Sequence, residues 1–301
     1  NGMEKMKKLM ILMGILLLGA IVWLLFVKPY DYVAVIEAKT APGVIDQVVK
    51  TWSGSLDNSE ISKGAEMNQL RQILIFNDST FQYDWQVVQL NDSVSEITVG
   101  VNGWNMKPRR RISNLLSETD FERRTKNTLL DFNEKLQEHL NSFRVSIEGE
   151  AELESTYCAC VALESDQFEK ARGMMKNYAL LGSVILENKI ELNGMPFIEI
   201  TGWDRTNDRI KYNFCYPIIR KDSLPTKGPV LFKEFQGGPA IKATYNGNYI
   251  SSDRAWYFLL HHAKKKGLKV RETPVEIFFD NPNMGGDAIK WRADIYMPLA
   301  E

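Results

Sequence analysis

The chain has 301 residues, 37 basic against 38 acidic, with 44% hydrophobic and 25% charged residues. That length exceeds one ordinary domain and that composition is globular, so fibrous and largely disordered classes are excluded. Balanced charge leaves no electrostatic footprint for nucleic acid, three cysteines cannot staple a disulfide scaffold, and three histidines cannot build a histidine-rich metal centre.

The first element is an apolar run, Leu9 to Val27, 19 residues without a charge. At about 1.5 Å per residue it covers roughly 28 Å, close to the ~30 Å hydrocarbon core of a bilayer. Lys5, Lys7 and Lys8 precede it and Lys28 follows. The run is longer than the ~7–15 apolar residues of a cleaved signal peptide, and its end, Trp-Leu-Leu-Phe-Val-Lys-Pro-Tyr, offers no small-x-small cleavage site. It reads as an uncleaved transmembrane anchor over 9–27 with the lipid bilayer as its partner. The positive-inside rule makes residues 1–8 a cytoplasmic tail and places the remainder outside the cytoplasm.

Residues 30–146 form the first globular region. Tyr30 to Ala38 alternates like a strand. Pro42 opens a helix with Val44, Ile45, Val48, Val49 and Trp52 on one side. A polar stretch, Ser53 to Gly64, has no strand or helix pattern. Three β-type runs follow, Gln69–Asn77, Thr80–Leu90 and Val94–Val101, separated by Asn77-Asp78-Ser79 and Asn91-Asp92-Ser93, which read as turns. A fourth run, Arg109–Leu116, precedes a long helix. Ser117 and Asp120 form its expected capping box, and Phe121, Thr125, Leu129, Phe132, Leu136 and Leu140 form its buried face. Arg109-Arg110-Arg111 offers a site for an anion or lipid headgroup, with a solvated edge strand as the leading reading. This order, with VIEAKTAPGVIDQVVKTW at its start, resembles the START-like (SRPBCC, polyketide-cyclase-like) superfamily. The resemblance implies a helix-grip fold, a curved sheet wrapped on the long helix.

Residues 150–301 contain an internal repeat. The first copy has a strand Glu154–Leu163, a helix about Ser165–Asn188 with Phe168, Ala171, Met175, Tyr178 and Val184 near one face, then strands Phe197–Trp203 and Arg209–Ile218. The second has a strand Ala240–Tyr249, a helix Ser252–Lys266 capped at Gly267, then strands Val275–Phe279 and Lys290–Pro298. Two β-α-β-β units related by a pseudo-twofold predict one sheet with helices on one side and a concave cleft on the other. The fold class is therefore α+β: anchor, helix-grip domain, then a pseudo-twofold (β-α-β-β)x2 domain.

The second copy, PAIKATYNGNYISSDRAWYFLLHHAKKKGLKVRETPVEIFFDNP followed by RADIYMPL, resembles the GyrI-like small-molecule-binding domain, the effector-binding domain of AraC-type and MerR-type regulators. Asn246-Gly247-Asn248-Tyr249, Glu276, Asn281-Pro282 and Asp294 to Pro298 carry the match. The resemblance implies an aromatic cleft with the Glu facing a hydrophobic, often cationic, ligand. The candidate ligand residues are Glu276, Phe278, Tyr245, Tyr249, Trp256, Trp203, Tyr212 and Trp291. If Val275 and Ile277 pack on the helices, Glu276 and Phe278 face the cleft.

No catalytic residue, metal or cofactor is expected. Cys158 and Cys160 share a strand face and read, with Cys215, as buried free thiols. The leading expectation is non-catalytic binding of a small hydrophobic or cationic molecule by a membrane-anchored protein. Some GyrI-like proteins resemble hydrolases of strained electrophilic rings, with the cleft Glu as base and Tyr245 or Tyr249 supplying a hydroxyl. An interaction scaffold is the third reading.

Overall fold

The apolar N-terminal run folds as a helix, α1, over Gly2–Val22. It belongs to a computed structural model that describes residues 2–23, 29–64, 68–91, 93–104, 119–221, 223–225 and 228–300. The charge-free part of α1, Leu9–Val22, is fourteen residues or about 21 Å long, against ~30 Å for a bilayer core. The expected span over 9–27 is therefore not found as such: residues 24–28 lie outside the described residues, and no helix among the described residues is long and apolar enough to cross a membrane. Along α1, Leu12, Met13, Ile15, Leu16, Leu17 and Leu18 are all exposed.

The chain divides into two compact units, Asn1–Gln137 and Glu138–Glu301, each built on one antiparallel sheet, which makes the protein α+β. The first unit runs β1 (Tyr32–Ala38), α2 (Pro42–Gly54), β2 (Ser59–Lys63), β3 (Gln69–Ile75), β4 (Thr80–Gln89), β5 (Ser95–Trp104) and α3 (Asp120–Asn141), whose last turn enters the second unit. Its sheet has the order β1-β5-β4-β3-β2. Pro42 stands in the first turn of α2, where its missing N–H costs nothing. Val44, Ile45, Val48, Val49 and Trp52 are buried, as are Phe121, Thr125, Leu129, Phe132 and Leu136 of α3. Their rings meet edge to face: Trp52 and Phe132 at 5.3 Å, Trp85 and Phe132 at 4.7 Å.

Two local expectations change. The polar stretch holds a strand, β2, stitched by side chains: Ser59 Oγ accepts from Gln72 Nε2 at 2.9 Å and lies 2.6 Å from Ser53 Oγ. An edge strand held by polar groups has no apolar alternation to reveal it. The capping box of α3 is Thr119 with Glu122, not Ser117 with Asp120. Thr119 N–H donates to Glu122 Oε2 at 2.9 Å, and Glu122 N–H to Thr119 Oγ1 at 3.3 Å. Ser117, the expected strand Arg109–Leu116 and its three arginines lie outside the described residues.

The second unit contains β6 (Phe143–Leu153), β7 (Thr156–Asp166), α4 (Lys170–Glu187), β8 (Phe197–Asp204), β9 (Arg209–Pro217), β10 (Leu231–Phe235), β11 (Gly238–Gly247), α5 (Arg254–Lys266), β12 (Val275–Phe278) and β13 (Arg292–Pro298). The sheet order, β10-β7-β9-β8-β12-β13-β11-β6, reads as two mirrored halves meeting at β8 and β12. Each copy carries a leading strand beyond the expected four elements. β6 precedes copy one yet pairs with β11, and β10 precedes copy two yet pairs with β7. Each half thus closes the open edge of the other. The repeat extends to its irregular parts: the isolated bridges Leu192–Ile218 and Val270–Leu299 occupy matching places.

The sides of this sheet are reversed from expectation. Val275 and Ile277 join Cys158, Phe197 and Phe235 in one apolar cluster. Glu276 and Phe278 face α4 and α5, and the aromatic cleft lies on that helix side. The cause is the charge of Glu276, whose partners all belong to the helices and their leading turns.

Candidate functional site

The site starts at Gly247, the second residue of the Asn-Gly-Asn-Tyr motif. Its φ is +153°, and a Cβ there would lie 2.6 Å from Tyr245 Oη and 2.8 Å from Phe143 Cβ, so only glycine fits. The chain then leaves β11 sharply. Asn248 caps the next turn through its side chain, which accepts from Ile250 N–H at 3.0 Å. This delivers Tyr249 to the sheet, where its hydroxyl donates to Arg292 O at 2.7 Å and accepts from Asp280 N–H at 3.0 Å. Burial pushes the Tyr249 hydroxyl up to about 12.

A cleft of about 370 Å³ opens here, under α4. Ala171, Met174, Met175 and Tyr178 form its helix wall, Phe214, Tyr216 and Phe278 its floor, and Tyr249, Ile250 and Trp291 its far side. Asn248, Asp280, Asn281 and Asn283 supply the polar lip. The apolar periodicity of α4 marks Met175 and Tyr178 as core, but they are 64% and 44% exposed, and Phe168 also points to solvent. The residues of α4 that are buried are Lys170, Ala171 and Leu181.

Three of the eight expected ligand residues line this cleft: Phe278, Tyr249 and Trp291. The other five form a supporting layer. Tyr245 bonds Asn248 O at 2.8 Å and Ser251 Oγ at 2.9 Å. Tyr212 donates to Lys170 O at 3.2 Å. Trp203 Nε1–H donates to Gln167 Oε1 at 2.8 Å, and its ring meets Trp256 at 4.9 Å. Trp256 Nε1–H donates to Glu276 Oε1 at 2.7 Å. Sequence reading missed Met174, Phe214, Tyr216 and Ile250. The alternation of β9 could have found Phe214 and Tyr216, since Tyr212, Phe214 and Tyr216 share a face.

Glu276 is fully buried, and its counter-charge is internal. Lys170 Nζ, equally buried, lies 2.7 Å from Oε1 and 2.6 Å from Oε2. Ser252 Oγ lies 2.6 Å from Oε2 and accepts from Lys170 Nζ at 2.5 Å. The Lys170 ammonium also sits 5.3 Å from the Trp256 ring centre. Burial pushes the Glu276 carboxyl upward, and the Lys170 charge with the bonds from Lys170 and Ser252 pulls it back. Each carboxylate oxygen thereby has two partners, Lys170 and Trp256 at Oε1, Lys170 and Ser252 at Oε2.

The cysteine expectation is corrected in part. Cys160 and Cys215 face one another across β7 and β9 and form a disulfide. Cys158 is the free thiol; its sulfur is 3.3 Å from Cys160 Sγ, and burial pushes it up to about 11. The three sulfurs lie within 4.8 Å of one another, but with two joined these three offer only one thiol as a ligand.

No protein-family model matches the chain, and no curated protein matches it. Solved structures do. The C-terminal domain of EcmrR is 16% identical, covers 53% of this chain and 98% of its own, and has a TM-score of 0.44. SAV2435 bound to tetraphenylphosphonium is 9% identical over 52% of this chain and 94% of its own, with a TM-score of 0.39. A hydrolase from Listeria innocua is 12% identical over 52% and 92%, with a TM-score of 0.35. These structures are likenesses, and no residue role is taken from them.

Proposed function

We propose that the second unit is a GyrI-like binding module that takes up a small hydrophobic molecule in the cleft under α4 and performs no chemistry on it. The observation that carries this reading is the exposed apolar wall of α4. Met175 and Tyr178 have the spacing of core residues and stand exposed, at 64% and 44%, over an aromatic floor. Concave, mostly apolar clefts with a few polar groups at the lip are the usual form of small-molecule sites. The hydrolase reading relies on Glu276 as its base and a tyrosine hydroxyl beside it. Glu276 is sealed behind the cleft, and the Tyr249 hydroxyl is committed to Arg292 and Asp280. The test is calorimetric titration with triphenylphosphine oxide, comparing the wild-type chain with Met174→Trp, which fills the cleft from the helix side. Binding to the wild type and its loss in the variant support the reading; identical heats from both refute it.

In the same proposal the first unit is a START-like scaffold and residues 9–27 tether the protein to a bilayer, N-terminus in the cytoplasm. The exposed leucines of α1 and the lysines before Leu9 support the tether. The Cys160–Cys215 disulfide supports an oxidising compartment for the second unit. Protease added to intact spheroplasts should digest residues 29–301, and protection of that region would reverse the topology.

A further inference from the structure

We propose that the cleft selects uncharged ligands, because the Glu276 carboxylate behind it is already paired with the buried Lys170 ammonium. This rests on the cleft reading above and narrows the ligand class. A carboxylate near an apolar cleft attracts a lipophilic cation only while its charge is uncompensated. Here four contacts of 2.6–2.7 Å from Lys170 Nζ, Ser252 Oγ and Trp256 Nε1 surround it. Whichever partner holds the shared proton, Lys170 and Glu276 together carry no net charge. Two helix starts add to the compensation. α4 begins at Lys170 itself, and α5 begins two residues after Ser252, so the partial positive ends of both helices lie on the side of Glu276.

The wall of the cleft contributes one further ionisable acid, Asp280. It is exposed, its Oδ2 accepts from Arg292 N–H at 2.7 Å, and water screens it. The Arg292 guanidinium is engaged by Asp294 at 2.9 Å and lies 4.7 Å from the Phe279 ring centre. A cation entering the cleft would leave bulk water without meeting a buried free anion, and would stand near the positive end of α4. A neutral aromatic molecule gives up no ionic hydration by the same transfer. To take a cation, the protein would first have to withdraw the Lys170 ammonium from a fully buried site.

The experiment uses the full chain and two probes matched in shape and different in charge, triphenylphosphine oxide and methyltriphenylphosphonium. Heats are referenced to Met174→Trp, which removes partitioning into detergent from the signal. The wild type is expected to bind the oxide at least tenfold tighter than the phosphonium. Lys170→Met frees the Glu276 carboxylate and is expected to raise phosphonium affinity at least tenfold. Lys170→Met with Glu276→Gln is expected to lose that gain. Equal or tighter binding of the phosphonium by the wild type would overturn the inference while leaving the cleft intact. A phosphonium affinity unchanged by Lys170→Met would overturn it as well. If neither probe distinguishes the wild type from Met174→Trp, the cleft reading itself fails. Should Lys170→Met not fold, the wild-type ratio decides alone.

Discussion

Lys170 and Glu276 illustrate how a buried charge is made tolerable. Each would be costly alone, and the pair persists because both are hydrogen-bonded on all interior sides. Removing one member leaves the other without its partner. Glu276→Gln is expected to lower the unfolding free energy by about 3–5 kcal/mol, the range for breaking a buried pair, while Lys170→Met with Glu276→Gln recovers most of it. Urea denaturation followed by tryptophan fluorescence reads both, and a single variant as stable as the wild type would show that the pair is not formed. His139 gives a second residue-scale expectation. Its Nε2 accepts from Arg254 Nε–H at 3.1 Å, so it must be neutral there. Burial, with the Arg254 charge, lowers it from 6.5 to about 4. The unfolded chain therefore binds more protons between those values. The stability from this group is complete above pH 6.5, is lost as pH falls toward about 4, and changes no further below. The loss is bounded at roughly 3 kcal/mol by the size of the shift and is smaller in practice because the ring is partly solvated. Melting curves from pH 7.5 to 4.5 should show a steeper fall for the wild type than for His139→Gln, which keeps an acceptor and does not titrate. Parallel curves would remove His139 from the account.

At the scale of elements, the cleft depends on how closely α4 approaches the sheet. Gly173 sets that distance: a Cβ there would lie 2.0 Å from Tyr212 Oη, and that hydroxyl is held by Lys170 O. Gly173→Ala should lift the helix or displace Tyr212, at a cost of about 1–3 kcal/mol for overpacking, and should weaken cleft ligands together with stability. Loss of neither in thermal melts and titrations would mean that α4 is not seated as described. The same elements show what a sequence can reveal. Periodicity marked α2, α3 and α5 and the β-α-β-β repeat, because burial of one face writes itself into spacing. The C-terminal stop of α5 was equally plain, with three lysines and Gly267 at φ +68°. Strands β2 and β10 left no such mark, whereas β6 carries an alternation, Phe143, Val145, Ile147, Ala151 and Leu153 against polar neighbours, that a repeat boundary at residue 150 cuts through. β6 alternates exposed polar and half-buried residues, with Phe143 and Leu153 buried at its two ends, and pairs along its length with β11. At the site, the motif pointed to Glu276, but spacing carried no information on which side of β12 meets the helices. Lys170 is 106 positions away, and its partnership with Glu276 exists only once copy one and copy two share a sheet.

For the whole molecule, the N-terminal run is an appendage to the two cores. None of the described side chains of α1 is among the buried hydrophobics, which begin at Ala38, and its described leucines and methionines stand about 54–66% exposed. The first core is closed by Trp52, Trp85 and Phe132, and the second by the paired halves of the eight-stranded sheet. A segment whose described side chains stand exposed contributes little to the stability of either core, while its apolar surface drives self-association in water. A chain beginning at residue 29 is therefore expected to be monodisperse without detergent. Its thermal midpoint should match that of the detergent-solubilised full chain within a few degrees, since no buried contact is removed. It should also keep its affinity for triphenylphosphine oxide, because every cleft residue lies beyond Lys170. Light scattering, melting curves and titration on the two chains check this together. If the shortened chain aggregates or melts well below the full chain, the apolar run packs on a core, and its role as a tether is wrong.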